Sequence, residues 1–344
     1  MVIACMKGKL NLLCPQSIIC ISILVFILWF FSHALFNLGI GVVENTKFPF
    51  TNPALNYAEL AQSITQEKTL DISSQIDKYT KQKEAAGDIT HLSVYFRNLN
   101  NGGRFGVEEK EYFSPASLMK LPILISYVKK SESEPWLLDK QIVFKKDPNL
   151  PDYEQNIPPE HQLVEGKSYT LREVLQYLII YSDNNASALL EANLPMADLQ
   201  RTFTDIGLMF PVITSWSFDN NIRVIDYASF FRQLFNASYL NRADSEKVLN
   251  LLTKVEFKDG LVAWVPDDIT VAHKFGERGI IWANGREEKQ LHDCGIVYYP
   301  NHPYIICLMT RGYDWNKLKS VISDVSSIVY KETQKDYGDN PDSE

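Results

Sequence analysis

The sequence predicts a two-lobed α/β domain of the α+β kind, in which an antiparallel sheet flanked by helices is joined to an all-α lobe. Strand-like segments lie at both ends of the folded part, and a helical block lies between them. The chain has 344 residues and 45% hydrophobic residues, which is enough for a large core without disulfide support. The two ends are therefore expected to share one sheet, and a cleft between the lobes is the expected site.

Strands are expected where β-branched and aromatic runs are bounded by turn residues. The first covers residues 91–98 and ends in the turn 98–103, whose sequence is Asn-Leu-Asn-Asn-Gly-Gly. A second short strand is expected around Phe105. The remaining strands are expected at residues 269–275, 291–299 and 304–310.

Apolar residues that recur three and four positions apart predict the helices. The first helix precedes Gly87, and others are expected over residues 117–130, 171–181 and 226–235. Thr170 and Glu173 form a capping-box pattern at the start of the third of these helices. A final amphipathic helix carries the apolar residues Leu318, Val321, Ile322, Val325, Ile328 and Val329.

The N-terminus carries the signal of a membrane anchor. Residues 18–40 contain no Asp, Glu, Lys or Arg, and a helix that rises about 1.5 Å per residue crosses a hydrocarbon core of about 30 Å over such a run. Lys7 and Lys9 precede the run, which favours a cytoplasmic N-terminus and an exported remainder. A cleaved signal peptide, with Ser32 and Ala34 near the cut, is the alternative. Because the apolar run continues past that point, we expect an uncleaved anchor.

The chain divides into five expected segments. Residues 1–16 are a cytoplasmic N-terminus, and 17–43 are the transmembrane signal-anchor helix. Residues 44–70, with Pro49 and Pro53, are a linker, and 71–331 are the catalytic domain. Residues 332–344 are expected to be a disordered acidic tail. Cys294 and Cys307 fall on adjacent expected strands and could face each other, but free buried thiols are the favoured expectation.

Composition excludes several classes of function. The net charge of -8 and the pI near 5.4 argue against a nucleic-acid partner, which would favour a basic surface. The sequence has no zinc-type Cys/His spacing, no Gly-rich phosphate loop and no internal repeat. We therefore expect neither a metal nor a cofactor, and we expect a monomer.

The first motif is Ser117-Leu-Met-Lys120. A serine hydroxyl is a poor nucleophile until a base takes its proton, and residues three apart on a helix share a face. A partly buried Lys120 with a lowered pKa can be that base. Ser126 and Lys129 have the same spacing, but they lie in mid-helix on the opposite face.

Two further motifs follow along the chain. Ser182-Asp183-Asn184 comes directly after a capped apolar helix, where these residue types also occur as an ordinary helix-end turn. Lys274-Phe275-Gly276 ends a β-branched strand, and a glycine at a strand edge lets a substrate backbone lie close. A competing sequence at residues 258–260 lies in a polar turn and is a weak candidate.

The order of the three motifs, separated by tens of residues, resembles that of the class A β-lactamases and the penicillin-binding proteins. Residues 164–175 are similar to the class A helix before the second motif, and residues 225–235 are similar to a later class A helix. The resemblance covers about residues 71–331. It implies a β-lactamase/transpeptidase-like fold, which agrees with the independent prediction, and a serine hydrolase or acyl-transferase.

The resemblance also implies a role for each motif residue. Ser117 would be the acylated nucleophile and Lys120 its base. Ser182 would pass the proton to the leaving nitrogen, and Asn184 would hold the amide side chain of the substrate. Lys274 would supply positive charge to that relay and to the substrate carboxylate.

The third motif contributes to substrate binding and contains one departure from the family. Gly276 would give the substrate access to the strand edge, and the backbone N–H groups of Ser117 and Glu277 would form the oxyanion hole. Losing one such donor typically costs about 3 kcal/mol of transition-state stabilisation. Phe275 stands where the family usually has Thr or Ser, so the substrate carboxylate loses a hydroxyl partner.

A second departure concerns deacylation. Class A enzymes carry a deacylating Glu on a long loop, and the corresponding stretch 208–222 contains no Glu here. It contains Asp219, Asn220 and Asn221. Efficient hydrolysis of an acyl-enzyme is therefore not expected.

These observations lead to one expected function and two alternatives. We expect a single-pass protein of the bacterial cytoplasmic membrane, with its domain outside, acylated at Ser117 by β-lactams or D-alanyl cell-wall peptides. Its activity would resemble that of a β-lactamase or a D-Ala-D-Ala carboxypeptidase. One alternative is a true β-lactamase in which Asp219 or Lys120 activates water. The other is a non-catalytic domain that binds the cell wall or acts as a sensor.

Overall fold

The structure is a computed structural model that describes residues 48–53, 67–146, 155–210, 222–282 and 285–337. No helix in those ranges combines the length and the apolar character that a membrane crossing requires. The expected cytoplasmic segment 1–16 and the expected anchor 17–43 lie outside the described residues.

The predicted helices and strands occur in the predicted order, and further short elements lie between them. The helices are α1 (Glu67–Ala85), α2 (Lys120–Ser133), α3 (Leu171–Ile180), α4 (Asn184–Asn193), α5 (Met196–Asp205), α6 (Val224–Phe235), α7 (Arg242–Leu252) and α8 (Trp315–Tyr337). The strands are β1 (His91–Asn98), β2 (Arg104–Val107), β3 (Tyr112–Phe113), β4 (Gln141–Val143), β5 (Ser168–Thr170), β6 (Ile222–Arg223), β7 (Val271–Ile281), β8 (Glu287–Val297) and β9 (Tyr304–Gly312). Short 3-10 turns cover Ala116–Met119, Leu137–Asp139 and Leu261–Trp264.

The two ends of the domain share one antiparallel sheet, as predicted. Within the described ranges its strand order is β2-β1-β9-β8-β7, so the N-terminal pair is bonded to the C-terminal strands through β1 and β9. Helices α1 and α8 contact this sheet, as does α6. The mixed α/β architecture with an antiparallel sheet and a separate helical block is therefore confirmed.

The hairpin of β7 and β8 is longer than the sequence predicted. Strand pairing runs from Val271 opposite Val297 to Ile281 opposite Glu287. Apart from Ile280 and Ile281, the added part consists of glycine and polar or charged residues, and it lacks the alternating β-branched pattern that marks a strand. It forms because backbone groups pair whatever the side chains are, once the apolar parts of the two strands have set the register.

Helix α2 runs through the core of the domain. Its residues from Lys120 to Val128 are all buried, and it contacts α3, α5 and α7. At the start of α3, the hydroxyl of Thr170 accepts the Glu173 N–H, while the Glu173 carboxylate accepts the Thr170 N–H. The predicted capping box is confirmed.

The structure describes part of each expected flanking segment. Phe50 and Thr51 donate their N–H groups to the Glu246 carboxylate, so residues 48–53 of the expected linker bind the domain. Helix α1 also begins within that linker, at Glu67. The expected disordered tail 332–344 is corrected for its first six residues, because α8 continues to Tyr337, whose ring stacks on His302 at 3.6 Å.

The favoured expectation of free thiols at Cys294 and Cys307 is wrong. The two residues lie directly opposite each other on β8 and β9, and they form a disulfide. Both are fully buried. Sequence spacing alone left the pairing open because it does not give the register of two strands.

Candidate active site

Ser117 lies on the 3-10 turn that leads into the central helix. Ala116 has φ 47°, a left-handed conformation that costs energy for any residue with a Cβ. Pro115 and Ala116 thereby turn the chain so that Ser117 is partly exposed, while Leu118 and Met119 are buried. The serine at the first motif is thus presented at the start of a buried helix.

Lys120 binds the second motif. Its Nζ lies 2.7 Å from Asn184 Oδ1, 3.2 Å from Ser182 Oγ and 2.5 Å from the Ser182 carbonyl oxygen. That carbonyl faces the lysine because Ser182 has φ 55°. In the described part of the chain no hydrogen bond joins Ser117 Oγ directly to Lys120 Nζ. The amine of Lys120 instead forms its hydrogen bonds with residues of the second motif.

Lys274 reaches the same hydroxyl from the sheet. Its Nζ lies 2.9 Å from Ser182 Oγ and 2.7 Å from the Phe275 carbonyl oxygen. Ser182 is 1% exposed, Lys274 0% and Lys120 3%. Residues of all three motifs therefore meet at one buried hydroxyl.

Burial changes the acid–base properties of both lysines. Desolvation lowers the pKa of Lys120 to about 8, although the negative charges of Asp183, Glu191 and Glu277 oppose this effect. The pKa of Lys274 is lowered further, first by desolvation and then by the nearby charge of Lys120. A neutral amine at Lys120 is therefore accessible near neutral pH, and only the neutral amine can accept a proton.

The free edge of β7 offers backbone groups to the cleft. Tyr298 N–H donates to the Thr270 carbonyl at 2.9 Å, which identifies the even-numbered residues of β7 as those bonded to β8. Because bonded pairs alternate along an antiparallel ladder, Phe275 and Glu277 direct their N–H and C=O groups away from β8. Strand β7 ends the order of strands, so these groups face the edge.

Gly276 brings this edge against the turn that carries Ser117. A Cβ on Gly276 would lie 2.9 Å from the backbone nitrogen of Leu118 and 3.2 Å from the Pro115 carbonyl oxygen. Any larger residue would push the turn away. The outward N–H of Glu277 and the N–H of Ser117 are therefore held on adjoining segments, as a two-donor oxyanion hole requires.

The side chain of Phe275 packs inside the domain. Its ring stacks on Phe257 with centroids 4.3 Å apart, and the residue is 5% exposed. Sequence analysis placed Phe275 among the substrate-binding residues. In the structure its backbone faces the edge, while its ring belongs to the core.

Glu277 also forms a contact that sequence analysis missed. Its carboxylate accepts the Asn156 N–H at 2.9 Å, the Asn156 Nδ2 at 2.6 Å and the Ile157 N–H at 3.3 Å. The loop with Asn156 lies in the helical half of the chain, so this side chain links β7 to the other side of the cleft. Desolvation raises the pKa of Glu277.

Asp183 and Gln155 are two more residues that sequence analysis left without a role. The buried Asp183 accepts the N–H groups of Leu163 and Asn185, each at 2.9 Å, and so caps α4. Gln155 Nε2 donates to the Ser182 carbonyl at 3.1 Å. The signal for Asp183 was present, since Asp is a preferred N-cap, whereas nothing in the sequence near Gln155 identifies its contact.

The stretch 208–222 lies mostly outside the described residues, and with it Asp219, Asn220 and Asn221. No group of three or more His, Cys, Asp or Glu side chains suited to a metal occurs within the ranges described.

We expect the amine of Lys120 to titrate with a midpoint near 8 in NMR spectra of the protein labelled at lysine Cε and Nζ. Asp183→Asn keeps a capping oxygen but removes a negative charge that raises the pKa of Lys120, so the midpoint should fall. Asp226→Asn is the matched control, because Asp226 pairs with Arg223 outside the site. A midpoint near the ordinary value of about 10.4 would contradict this assignment.

Known proteins are similar to this chain in sequence family and in fold. The model of the family described as "Beta-lactamase enzyme family" matches residues 71–333. No curated protein matches the chain. Among solved structures, PBP-A superposes with a TM-score of 0.65 at 23% identity, covering 81% of this chain and 100% of PBP-A.

Two β-lactamases show the same fold. TLA-1, an extended-spectrum β-lactamase, superposes with a TM-score of 0.66 at 19% identity, over 77% of this chain and 99% of its own. A β-lactamase from Chitinophaga pinensis gives 0.64 at 20% identity, over 75% and 99%. Because the family model matches well over half of the chain, the protein belongs to the beta-lactamase enzyme family, whose members of known structure share its serine hydrolase fold.

Proposed function

We propose that this protein is an acyl-transfer enzyme whose Ser117 is acylated by β-lactams or by D-alanyl cell-wall peptides. The observation that carries the proposal is the position of Ser182 Oγ between two buried lysines, Lys120 and Lys274. Burying two ammonium groups is costly, and a domain that only binds a ligand has no need of them. PBP-A, which has the same fold, has been seen as an acyl-enzyme with penicillin G in a mutant form.

Substrate binding would use the edge of β7. An extended substrate adds to an unpaired strand edge through backbone hydrogen bonds, and the outward groups of Phe275 and Glu277 supply them. Asn184 accepts a hydrogen bond from Lys120 through Oδ1, which leaves its Nδ2 to donate to an amide carbonyl of the substrate. These contacts would place the scissile carbonyl beside Ser117.

Acylation then needs one proton to move from Ser117 to the leaving nitrogen. Neutral Lys120 accepts the Ser117 hydroxyl proton as Oγ attacks the carbonyl carbon. The negative charge that develops on the carbonyl oxygen is met by the N–H groups of Ser117 and Glu277. Lys120 returns the proton through the hydroxyl of Ser182, which protonates the nitrogen as the C–N bond breaks. Lys274 holds that hydroxyl in place.

Deacylation is expected to be slow. Hydrolysis of the ester needs a positioned water and a base, and the stretch 208–222 has no Glu to provide one. The proposal is therefore a long-lived acyl-enzyme, as in a penicillin-binding protein. The labelling experiment described next also distinguishes this proposal from the two alternatives, a true β-lactamase and a non-catalytic sensor domain.

We expect incubation with benzylpenicillin to add the mass of the intact drug to the protein, and Ser117→Ala to abolish the adduct. Ser126→Ala is the matched control, since Ser126 has the same spacing to a lysine but is bonded to Thr202 inside the core. Mass spectrometry over time measures formation and loss, and loss should be slower than formation by a wide margin. Rapid turnover of a chromogenic cephalosporin with no detectable adduct would favour the β-lactamase alternative. No adduct and no turnover would favour the sensor.

We expect Phe275→Thr to speed labelling by about one to two orders of magnitude, because a hydroxyl partner for the substrate carboxylate contributes about 1–3 kcal/mol. Phe275→Val is the matched control: it has nearly the same shape as Thr but no hydroxyl. Both variants lose the stacking on Phe257 and should lose stability alike, by about 3–5 kcal/mol in urea denaturation. Equal labelling rates for the Thr and Val variants would contradict the expectation.

We also propose that the domain is held outside the bacterial cytoplasmic membrane by an uncleaved helix at residues 17–43. The uncharged run 18–40 behind Lys7 and Lys9 supports this, and so does the disulfide of Cys294 and Cys307, because disulfides persist mainly in oxidising compartments.

In the native cells, we expect the intact protein to fractionate with membranes and its domain to be digested when protease is added to whole spheroplasts. A cytoplasmic protein of the same cells should survive the protease as the control. A soluble mature form that begins near Leu35 would overturn the uncleaved anchor.

A further inference from the structure

Ser114, three residues before Ser117, is held by three side chains of the sheet. Its N–H donates to Gln290 Oε1 at 3.0 Å, and its hydroxyl accepts from Arg278 Nη1 at 2.9 Å. Its carbonyl oxygen lies 2.9 Å from His292 Nε2. Every polar group of Ser114 therefore has a side-chain partner on β7 or β8. We refer to Arg278, Gln290 and His292 as the Ser114 clamp.

The proton in the contact with His292 can be assigned. Burial lowers the pKa of His292 to about 3, so the ring is neutral and carries one N–H. A carbonyl oxygen only accepts, so that N–H is at Nε2. Ser114, Gln290 and His292 are all 0% exposed, which means that no water competes for these bonds.

The strand register aligns two of the clamp residues with a third side chain on the neighbouring strand. Arg278, Gln290 and Arg311 are directly paired across β7, β8 and β9, so their side chains lie in one row on one face of the sheet. Arg311 donates to the Tyr112 carbonyl oxygen at 2.7 Å, next to the segment that Gln290 and Arg278 bind. Residues 112–114 thus rest on this row.

The next row of paired residues on the same face lies under the turn that carries Ser117. Gly276 is paired with His292, and a Cβ on Gly276 would lie 2.9 Å from the backbone nitrogen of Leu118. The sheet therefore contacts the chain on both sides of Ser117, through side chains before it and through a glycine after it.

This arrangement matters because the turn is strained between those two contacts. Ala116 has φ 47° and is not a glycine, and such a conformation persists only when the surrounding structure over-determines it. Only Pro115 and Ala116 lie between Ser114 and the nucleophile. If Ser114 were free to move, the strain at Ala116 could relax, and Ser117 would leave its position beside Lys120 and the oxyanion hole.

We propose that Arg278, Gln290 and His292 are positioning residues for the nucleophile, and that they act through Ser114 to hold the strained turn in its reactive form. None of the three touches the reacting atoms. This inference rests on the proposed acylation of Ser117. Because a displacement of about 1 Å at a reacting group can cost on the order of 10²-fold in rate, the clamp should be worth about 10- to 100-fold in the acylation rate.

A double-mutant cycle tests the proposal, with the rate of labelling by benzylpenicillin as the measurement. His292→Ala removes the donor to Ser114 and should slow labelling by about 10- to 100-fold. In the Ala116→Gly background the strain is gone, so the same His292→Ala change should slow labelling by less than about 3-fold. Equal losses in both backgrounds would overturn the proposal, because a general loss of stability would not depend on residue 116.

Two milder variants keep the test decisive if His292→Ala fails to fold. Ser114→Ala removes the hydroxyl that accepts from Arg278. Gln290→Leu removes the amide that accepts the Ser114 N–H and that also donates to Glu288. Each should slow labelling, and each loss should again shrink in the Ala116→Gly background. Ser326→Ala is the matched control: it removes another buried side-chain donor to a backbone carbonyl, at Leu261, and should leave the labelling rate unchanged.

Hydrogen exchange separates this inference from the proposed function. In the clamp variants, amides of residues 112–119 should exchange faster than in the wild type, while those of α8 keep their protection. Unchanged exchange at residues 112–119 would overturn the clamp. If the wild type takes no β-lactam at all, the proposed function fails, yet the exchange comparison still decides whether the clamp holds the turn.

Discussion

The structure of the site depends on one hydroxyl group that is shared by two buried lysines. Ser182 Oγ lies 3.2 Å from Lys120 Nζ and 2.9 Å from Lys274 Nζ, so the two nitrogens are at most 6.1 Å apart. With an effective dielectric constant of about 20, two positive charges at that distance repel by about 3 kcal/mol. Desolvation is the largest cause of the lowered pKa of both lysines, and the nearby charge of Lys120 lowers the pKa of Lys274 as well. One of the two amines therefore gives up its proton readily.

Three parts of the fold are needed to bring these groups together. Lys120 comes from the buried central helix, Ser182 from the turn between α3 and α4, and Lys274 from the edge strand of the sheet. The turn would relax if left alone, because Ser182 has φ 55°. Asp183 prevents this by capping α4 and by binding the loop at Leu163. Strain at Ser182 and at Ala116 is thus maintained by contacts from outside each turn.

The same contacts define the opening of the cleft. On the sheet side, Glu277 has an outward N–H for an oxyanion and a carboxylate bound to Asn156 of the opposite loop. That loop also carries Gln155, which binds the Ser182 carbonyl. The loop at residues 155–157 is therefore bonded both to the edge strand and to Ser182. Phe275, which supplies no hydroxyl here, helps to close the core behind that edge.

Local patterns in the sequence determined much of this protein. Periodicity and capping residues predicted the strand at residues 91–98, the capped helix α3 and the amphipathic helix α8, because these depend on neighbours within one or two turns of chain. The spacing and order of the motifs predicted Ser117, Lys120, Ser182 and Lys274 as site residues, because the chemistry constrains residue types at fixed local intervals.

Only the tertiary structure decided which of these residues touch. Three contacts illustrate this: the disulfide of Cys294 and Cys307, the bridge from Glu277 to Asn156 and the clamp on Ser114. The disulfide joins residues 13 positions apart, and the contact of His292 with Ser114 joins residues 178 positions apart. Such contacts follow from strand register and from how lobes pack, and a shift of one residue in register would turn each side chain to the other face of the sheet. The sequence determines which side chains are present and their local conformation, whereas the strand register decides which of them are partners. The reason is that the energy of strand pairing comes from many backbone hydrogen bonds, which are the same for every residue type.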